Sequence, residues 1–145
     1  MKNALDLAKY MVSKCVKDGC PISNLQLQKI LYFIQVETIK KTGDVAFYDG
    51  IEAWKFGPVI PSVYYHFCGF GAMPIWASYK VSTPEEPEKM IVDAVMEEKR
   101  KLDPWTLVDE AHKKGGPWDR TYKNGEGVHE PISVELIKEC IGETI

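Results

Sequence analysis

Three histidines, four cysteines and several paired carboxylates are the side chains from which these 145 residues could build a small enzyme or a metal site. His66, His112 and His129 lie far apart, and none falls in a His-Glu-x-x-His, His-x-Glu or Cys-His signature. Cys15, Cys20, Cys68 and Cys140 form no Cys-x-x-Cys pair and have no histidine at zinc-finger spacing, so they read as buried, reduced thiols. Gly69-Phe70-Gly71 and Gly115-Gly116-Pro117 lack the spacing and the following Lys-Ser/Thr of a phosphate loop. Glu85, Glu86, Glu88, Asp109 and Glu110 read as helix-start and surface charges rather than a paired acid and base. One hydrolase arrangement stays open, in which His112, Asp119 and Arg120 would have to converge in a pocket. The expectation is a chain with no catalytic residues, no metal and no cofactor.

Composition narrows the class further. A content of 45% hydrophobic and 27% charged residues suits one ordinary domain spanning 1–145, long enough to bury a core without disulfides or metal. The net charge of -3 argues against a nucleic-acid binder that neutralises phosphates. Lys113, Lys114, Arg120 and Lys123 are interspersed with Asp109, Glu110, Asp119 and Glu126, which reads as a solvated mixed-charge surface. No run approaches the roughly 20 apolar residues that a membrane span needs. MKNALDLAKYMV contains Asp6 and Lys9, which suits an amphipathic helix rather than a signal-peptide core, so a cytoplasmic protein is expected.

The elements that would position functional groups can be read from caps and periodicity. Asn3 caps a first helix that buries Ala4, Leu7, Ala8, Met11, Val12 and Cys15 and ends at Gly19. Ser23 and Gln26 form a capping box for a second helix, about 24–41, apolar on so many sides that it must be central. Gln28, Tyr32 and Gln35 draw a polar strip along it. The strip either faces solvent or makes buried hydrogen bonds to the strand region that follows.

Val45 to Tyr48, a turn at Asp49-Gly50 and Ile51 to Phe56 read as an antiparallel hairpin, about 45–56, which Ile75 to Val81 could extend to three strands. Alternation places Glu52, Trp54 and Phe56 on the core side. Gly57-Pro58 then stops the ladder, and Pro61 opens a third helix offering Val63, Tyr64 and Phe67 inward. Thr83-Pro84-Glu85-Glu86 caps a helix to about Lys101 that buries Met90, Ile91, Ala94 and Val95. Asp103-Pro104 starts a short helix, Lys123 to Pro131 reads as a mobile loop, and Ser133 caps a last helix with Ile137, Cys140 and Ile141 inward. The fold class is α+β, predominantly α, with about six helices around the central one.

Four tryptophans and seven tyrosines exceed what a small helical core needs, and both types are enriched in protein contact hot spots. Trp54, Lys55, Phe56, Tyr64 and Trp118 are the expected partner-contact residues, while Gln28, Tyr32, Gly57, Pro58 and Pro61 are the structural motif. Three segments in order, Leu25 to Gln35 (LQLQKILYFIQ), Glu52 to Tyr64 (EAWKFGPVIPSVY) and Gly116 to Arg120 (GPWDR), resemble the Panacea antitoxin domain family, which includes phage-associated GepA-like proteins and SocA-like antitoxins. The central segment is the most specific of the three. The resemblance implies a mostly helical domain that binds and neutralises a toxin encoded by an adjacent gene. In SocA-like members, it further implies delivery of the toxin to a bacterial protease. The chain departs from family versions with an added DNA-binding domain, so the resemblance does not carry autoregulation over to it. The alternative function is a phage-derived regulator that binds a host protein or nucleic acid with no toxin partner.

Overall fold

A computed structural model describes residues 2–143 and shows seven helices with one small antiparallel sheet. Helix α1 (Ala4–Lys17) is capped by the Asn3 side chain, which accepts from the Asp6 amide at 3.0 Å. Helix α2 (Asn24–Thr42) begins with the full Ser23/Gln26 capping box and ends at Gly43 in the left-handed conformation. Strands β1 (Glu52–Trp54) and β2 (Gly57–Val59) follow, then α3 (Pro61–Phe67), α4 (Glu88–Lys99), α5 (Pro104–Ala111), α6 (Pro117–Tyr122) and α7 (Val134–Glu143). Helices α1, α3, α4, α5 and α7 and strand β2 all pack on α2, so the expected central helix is central. Its Leu27, Ile30, Leu31 and Ile34 are fully buried, each such side chain stabilising the fold by about 1.5 to 3 kcal/mol.

The antiparallel hairpin is present but lies later in the sequence than expected. Its turn is Lys55-Phe56, and Glu52, Ala53 and Trp54 face Val59, Pro58 and Gly57. Pro58 is tolerated because Ala53, opposite it, turns its backbone groups the other way: its amide donates to Glu130 O at 2.9 Å and its carbonyl accepts from His129 N at 2.7 Å. The Ile132 amide also donates to Ile51 O. Residues 129–132 therefore flank β1 where Ile75 to Val81 had been expected to add a strand. Ile75 to Val81 has no strand structure and is tied in by Ile75 N to Ile22 O.

Val45 to Tyr48 is not a strand either, and the reason lies on α2. Gln35, 2% exposed, places its carbonyl oxygen 2.8 Å from Ala46 N and 3.3 Å from Phe47 N, while its amide nitrogen donates to Phe47 O at 3.0 Å. This side chain supplies at Ala46 and Phe47 the pairing a neighbouring strand would have given, while Lys2 pairs with Val45 O and Tyr48 N at the two ends of the segment. Asp49 is no hairpin turn residue. Its carboxylate accepts from Ala4 N and Ser62 Oγ, linking the starts of α1 and α3.

Three other expectations shift. Helix α4 starts at Glu88 rather than near Thr83, because the residue before Pro87 is disfavoured in helical conformation. The Glu86 side chain accepts from Met90 N at 2.9 Å in place of the expected box. The face buried by α4 is Ile91, Val92, Val95 and Met96, leaving Met90 and Ala94 exposed. Lys123 to Pro131 is not a free loop: besides pairing with β1, it passes so near α6 that a Cβ on Gly127 would lie 1.8 Å from Thr121 O. Of the cysteines, only Cys15 is buried, with Cys20 and Cys140 half-buried and Cys68 exposed.

Replacing Gln35 with leucine strands the Ala46 and Phe47 amides and the Phe47 carbonyl in the interior. Denaturant unfolding should show a loss on the order of 2 to 3 kcal/mol, and an unchanged midpoint would disprove this role for the side chain.

Candidate functional site

The polar strip on α2 is buried, and its groups serve the segments around the sheet. Gln28, 1% exposed, accepts from Ile60 N at 2.9 Å and donates to Asn24 Oδ1 at 2.9 Å, and Asn24 Nδ2 donates to Tyr64 O at 3.1 Å. This amide relay pins the first turn of α3, which has no side-chain cap of its own. Tyr32 lies buried on the same helix, and burial pushes its phenol pKa up.

Lys29, between these groups, was not singled out by the sequence reading. It is 1% exposed, and its ammonium donates to Pro58 O at 3.0 Å. Burial pushes its pKa from the ordinary 10.5 down to about 7. Gly57 makes room for it: a Cβ there would sit 2.9 Å from Lys29 Cε, and the φ of +114° already excludes most side chains. The available signal was a lysine in a helix otherwise apolar on nearly all sides.

Beside Lys29 opens a pocket of about 420 Å³ between the hairpin, α3 and the Cys68–Phe70 turn. Four of the five expected contact residues line it: Trp54, Lys55, Phe56 and Tyr64. Their orientation differs from the alternation expected. Ile51 and Ala53 take the core side of β1, so the half-buried Trp54 faces out and is covered by Tyr64 and His129, with ring centroids 5.0 and 4.8 Å away. Its indole nitrogen donates to Glu52 Oε1 at 2.9 Å. Tyr64 likewise leaves the core to Val63 and Phe67. Phe56, 48% exposed, meets the 55% exposed Trp105 edge-on at 5.5 Å, a pairing that sequence separation concealed.

Trp118, expected on the same surface, is 6% exposed and does not line the pocket. It is sandwiched between His112 at 3.7 Å and Tyr122 at 4.6 Å, and its indole donates to Trp54 O at 2.8 Å, so it fastens α6 to β1. His112, Asp119 and Arg120 do not converge. The His112 ring is stacked on Trp118, Asp119 accepts from Gly115 N at 2.9 Å, and Arg120 pairs with Glu143. Burial and the nearby Lys29 charge lower the His112 pKa. Among the described residues, no group of three or more His, Cys, Asp or Glu could hold a metal ion, and no helix is long and apolar enough to cross a membrane.

Residues 27–119 match the family model described as "Antitoxin SocA-like, Panacea domain". The chain is also similar to "Antitoxin SocA" of Caulobacter vibrioides (strain NA1000 / CB15N), 30% identical over 151 residues that cover 96% of this chain and 80% of the relative. No solved structure matches the chain. The chain therefore belongs to the SocA-like Panacea antitoxin family, as its sequence motifs implied. That membership supports an antitoxin-type, regulatory role over an enzymatic one.

The buried amine gives a pH signature. Because the folded-state pKa of Lys29 lies below the unfolded value, the unfolded chain binds more protons between about pH 7 and 10.5, and stability rises with pH across that window. The cost of charging Lys29 is fully present below about pH 7. Wild type should therefore gain stability relative to Lys29→Met as pH is raised from 7 to 10. A difference flat with pH in paired denaturant titrations would show that the amine is not desolvated.

Proposed function

Starting from that membership, we propose that this chain is a single-domain antitoxin that binds and neutralises a protein toxin encoded by an adjacent gene in the cytoplasm. The match to the SocA-like Panacea family over residues 27–119 carries this reading. The surface beside Lys29 supports it. Exposed Phe56 and Trp105, half-buried Trp54 and Tyr64, and Lys55 at the turn place aromatic groups with one cation around a concavity, the composition that protein contacts favour. Delivery of the bound toxin to a bacterial protease would follow if the complex presents both partners at once.

The test is co-expression with the neighbouring gene product. Growth arrest by that product alone, relieved by this chain, supports the proposal. A neighbour that is harmless alone, or harmful and not relieved, defeats it. Phe56→Asp and Trp105→Asp, both on exposed rings, should leave thermal unfolding within about 0.5 kcal/mol of wild type while abolishing rescue. Trp118→Ala should instead lose about 3 to 5 kcal/mol of stability. Full rescue by both aspartate variants would place the contact surface elsewhere.

A further inference from the structure

The pocket beside Lys29 has a charge character opposite to that of the whole chain. The protein carries 21 acidic residues against 18 basic ones, yet no carboxylate lines this pocket, where Lys29, Lys55 and His129 do. Lys29 reaches it from the inner side, with one of its three hydrogens engaged by Pro58 O and no second hydrogen-bond acceptor among the described residues. The neighbouring amides on α2, Gln28 and Asn24, are joined to each other and to α3 and not to the Lys29 ammonium. A buried, under-coordinated amine beside an acid-free aromatic cavity is suited to a carboxylate.

We propose that this pocket receives an acidic side chain, aspartate or glutamate, projected by the partner protein, and that its carboxylate pairs with the Lys29 ammonium. The rim identifies the source. Phe56, Trp105, Tyr65 and Val128 are exposed around or beside the opening, and a small free acid in the pocket would leave them in water, whereas a protein surface carrying the acid would cover them.

The pairing makes binding depend on pH. Free Lys29 loses its proton near pH 7, and a carboxylate beside it would hold that proton, so complex formation takes up a proton and weakens as pH rises above about 7. The charged and titratable groups facing the pocket are Lys55 on the β1–β2 turn, Tyr64 on α3, Cys68 on the turn after it and His129 beside β1; His112, just past α5, feels the Lys29 charge from the interior, and the Glu52 carboxylate, held by the Trp54 indole, lies outside the lining. No carboxylate is among the residues that line it. The requirement for an acidic side chain rests on the antitoxin reading, because the partner is taken to be its toxin.

Two measurements on the full chain separate this inference from that reading. In the first, the Lys29 side-chain amine is followed by NMR through a pH titration with 3-phenylpropionate or the uncharged 3-phenylpropionamide. The acid should raise the Lys29 midpoint and the amide should not; equal behaviour of the two overturns the inference. In the second, affinity for the neighbouring gene product is compared among wild type, Lys29→Met and Lys29→Gln, each checked for native folding. Both variants should bind at least about thirtyfold more weakly, and one Asp→Asn or Glu→Gln change on the partner should produce the same loss without adding to it. Undiminished binding by a folded Lys29 variant overturns the inference and leaves the antitoxin reading intact. A neighbour that does not bind wild type at all defeats the antitoxin reading, and with it the acidic partner, even where the isolated pocket takes the acid probe.

Discussion

Helix α2 has to satisfy the backbone of the segments wrapped around it, and the rest of the structure follows from that obligation. A helix enclosed by five others and a strand leaves little room for a regular sheet against it. The surrounding chain at residues 46–47, 58 and 60 nevertheless has buried amides and carbonyls that must be paired. Gln35, Lys29 and Gln28 each reach out from α2 to one of these positions. Gln28 and Lys29 are adjacent and Gln35 lies nearly two turns further on, so one rigid element sets the path of the chain from the end of α2 to the start of α3. The apolar neighbours Leu27, Ile30, Leu31 and Ile34 supply the burial that makes these polar contacts necessary.

That arrangement explains which parts of the fold were legible in the sequence. Helix ends were legible wherever a side chain caps its own backbone within a few residues: Asn3, Ser23, Asp103 and Ser133 all act as read. The polar strip was legible as a choice between solvent and buried partners, and Gln28 and Gln35 take the second. What could not be read locally was the hairpin register. Residues 45–48 have strand composition but are paired by the Gln35 side chain at Ala46 and Phe47 and by Lys2 at Val45 and Tyr48, and Gly57-Pro58 has breaker composition but lies opposite a residue bonded elsewhere. Both outcomes are fixed by contacts distant in sequence. The buried face of α4 lies one position beyond the expected one, with Val92 buried and Met90 exposed although both are apolar.

The candidate site was legible in its residue types more than in its geometry. Trp54, Lys55, Phe56 and Tyr64 do gather around one pocket, but through the outward face of β1 rather than beside a core anchor. Trp118 has the same aromatic character and a different place, because its indole nitrogen finds an acceptor in the β1 backbone and both ring faces are covered. Lys29 escaped notice because nothing in its spacing distinguishes a buried lysine from one that snorkels to the surface. Only the path of residues 57–58 above it shows that the ammonium ends inside.

Gly57 and Pro58 are therefore better understood as the complement of Lys29 than as punctuation. An extended lysine from α2 can end under the hairpin only if the residue above its stem has no side chain, and Gly57 meets that need at a φ of +114° where few other residues could sit. The ammonium then needs a carbonyl turned inward. Pro58 supplies one while lacking the amide hydrogen that would otherwise need a partner on the same strand. With these two residues in place, the cost of burying the amine is only partly offset by one hydrogen bond, and a desolvated cation is left beside a cavity free of acids. A surface that neutralises that cation relieves a penalty already present in the folded chain, so the same three residues that shape the hairpin also set the charge of the partner group that suits it.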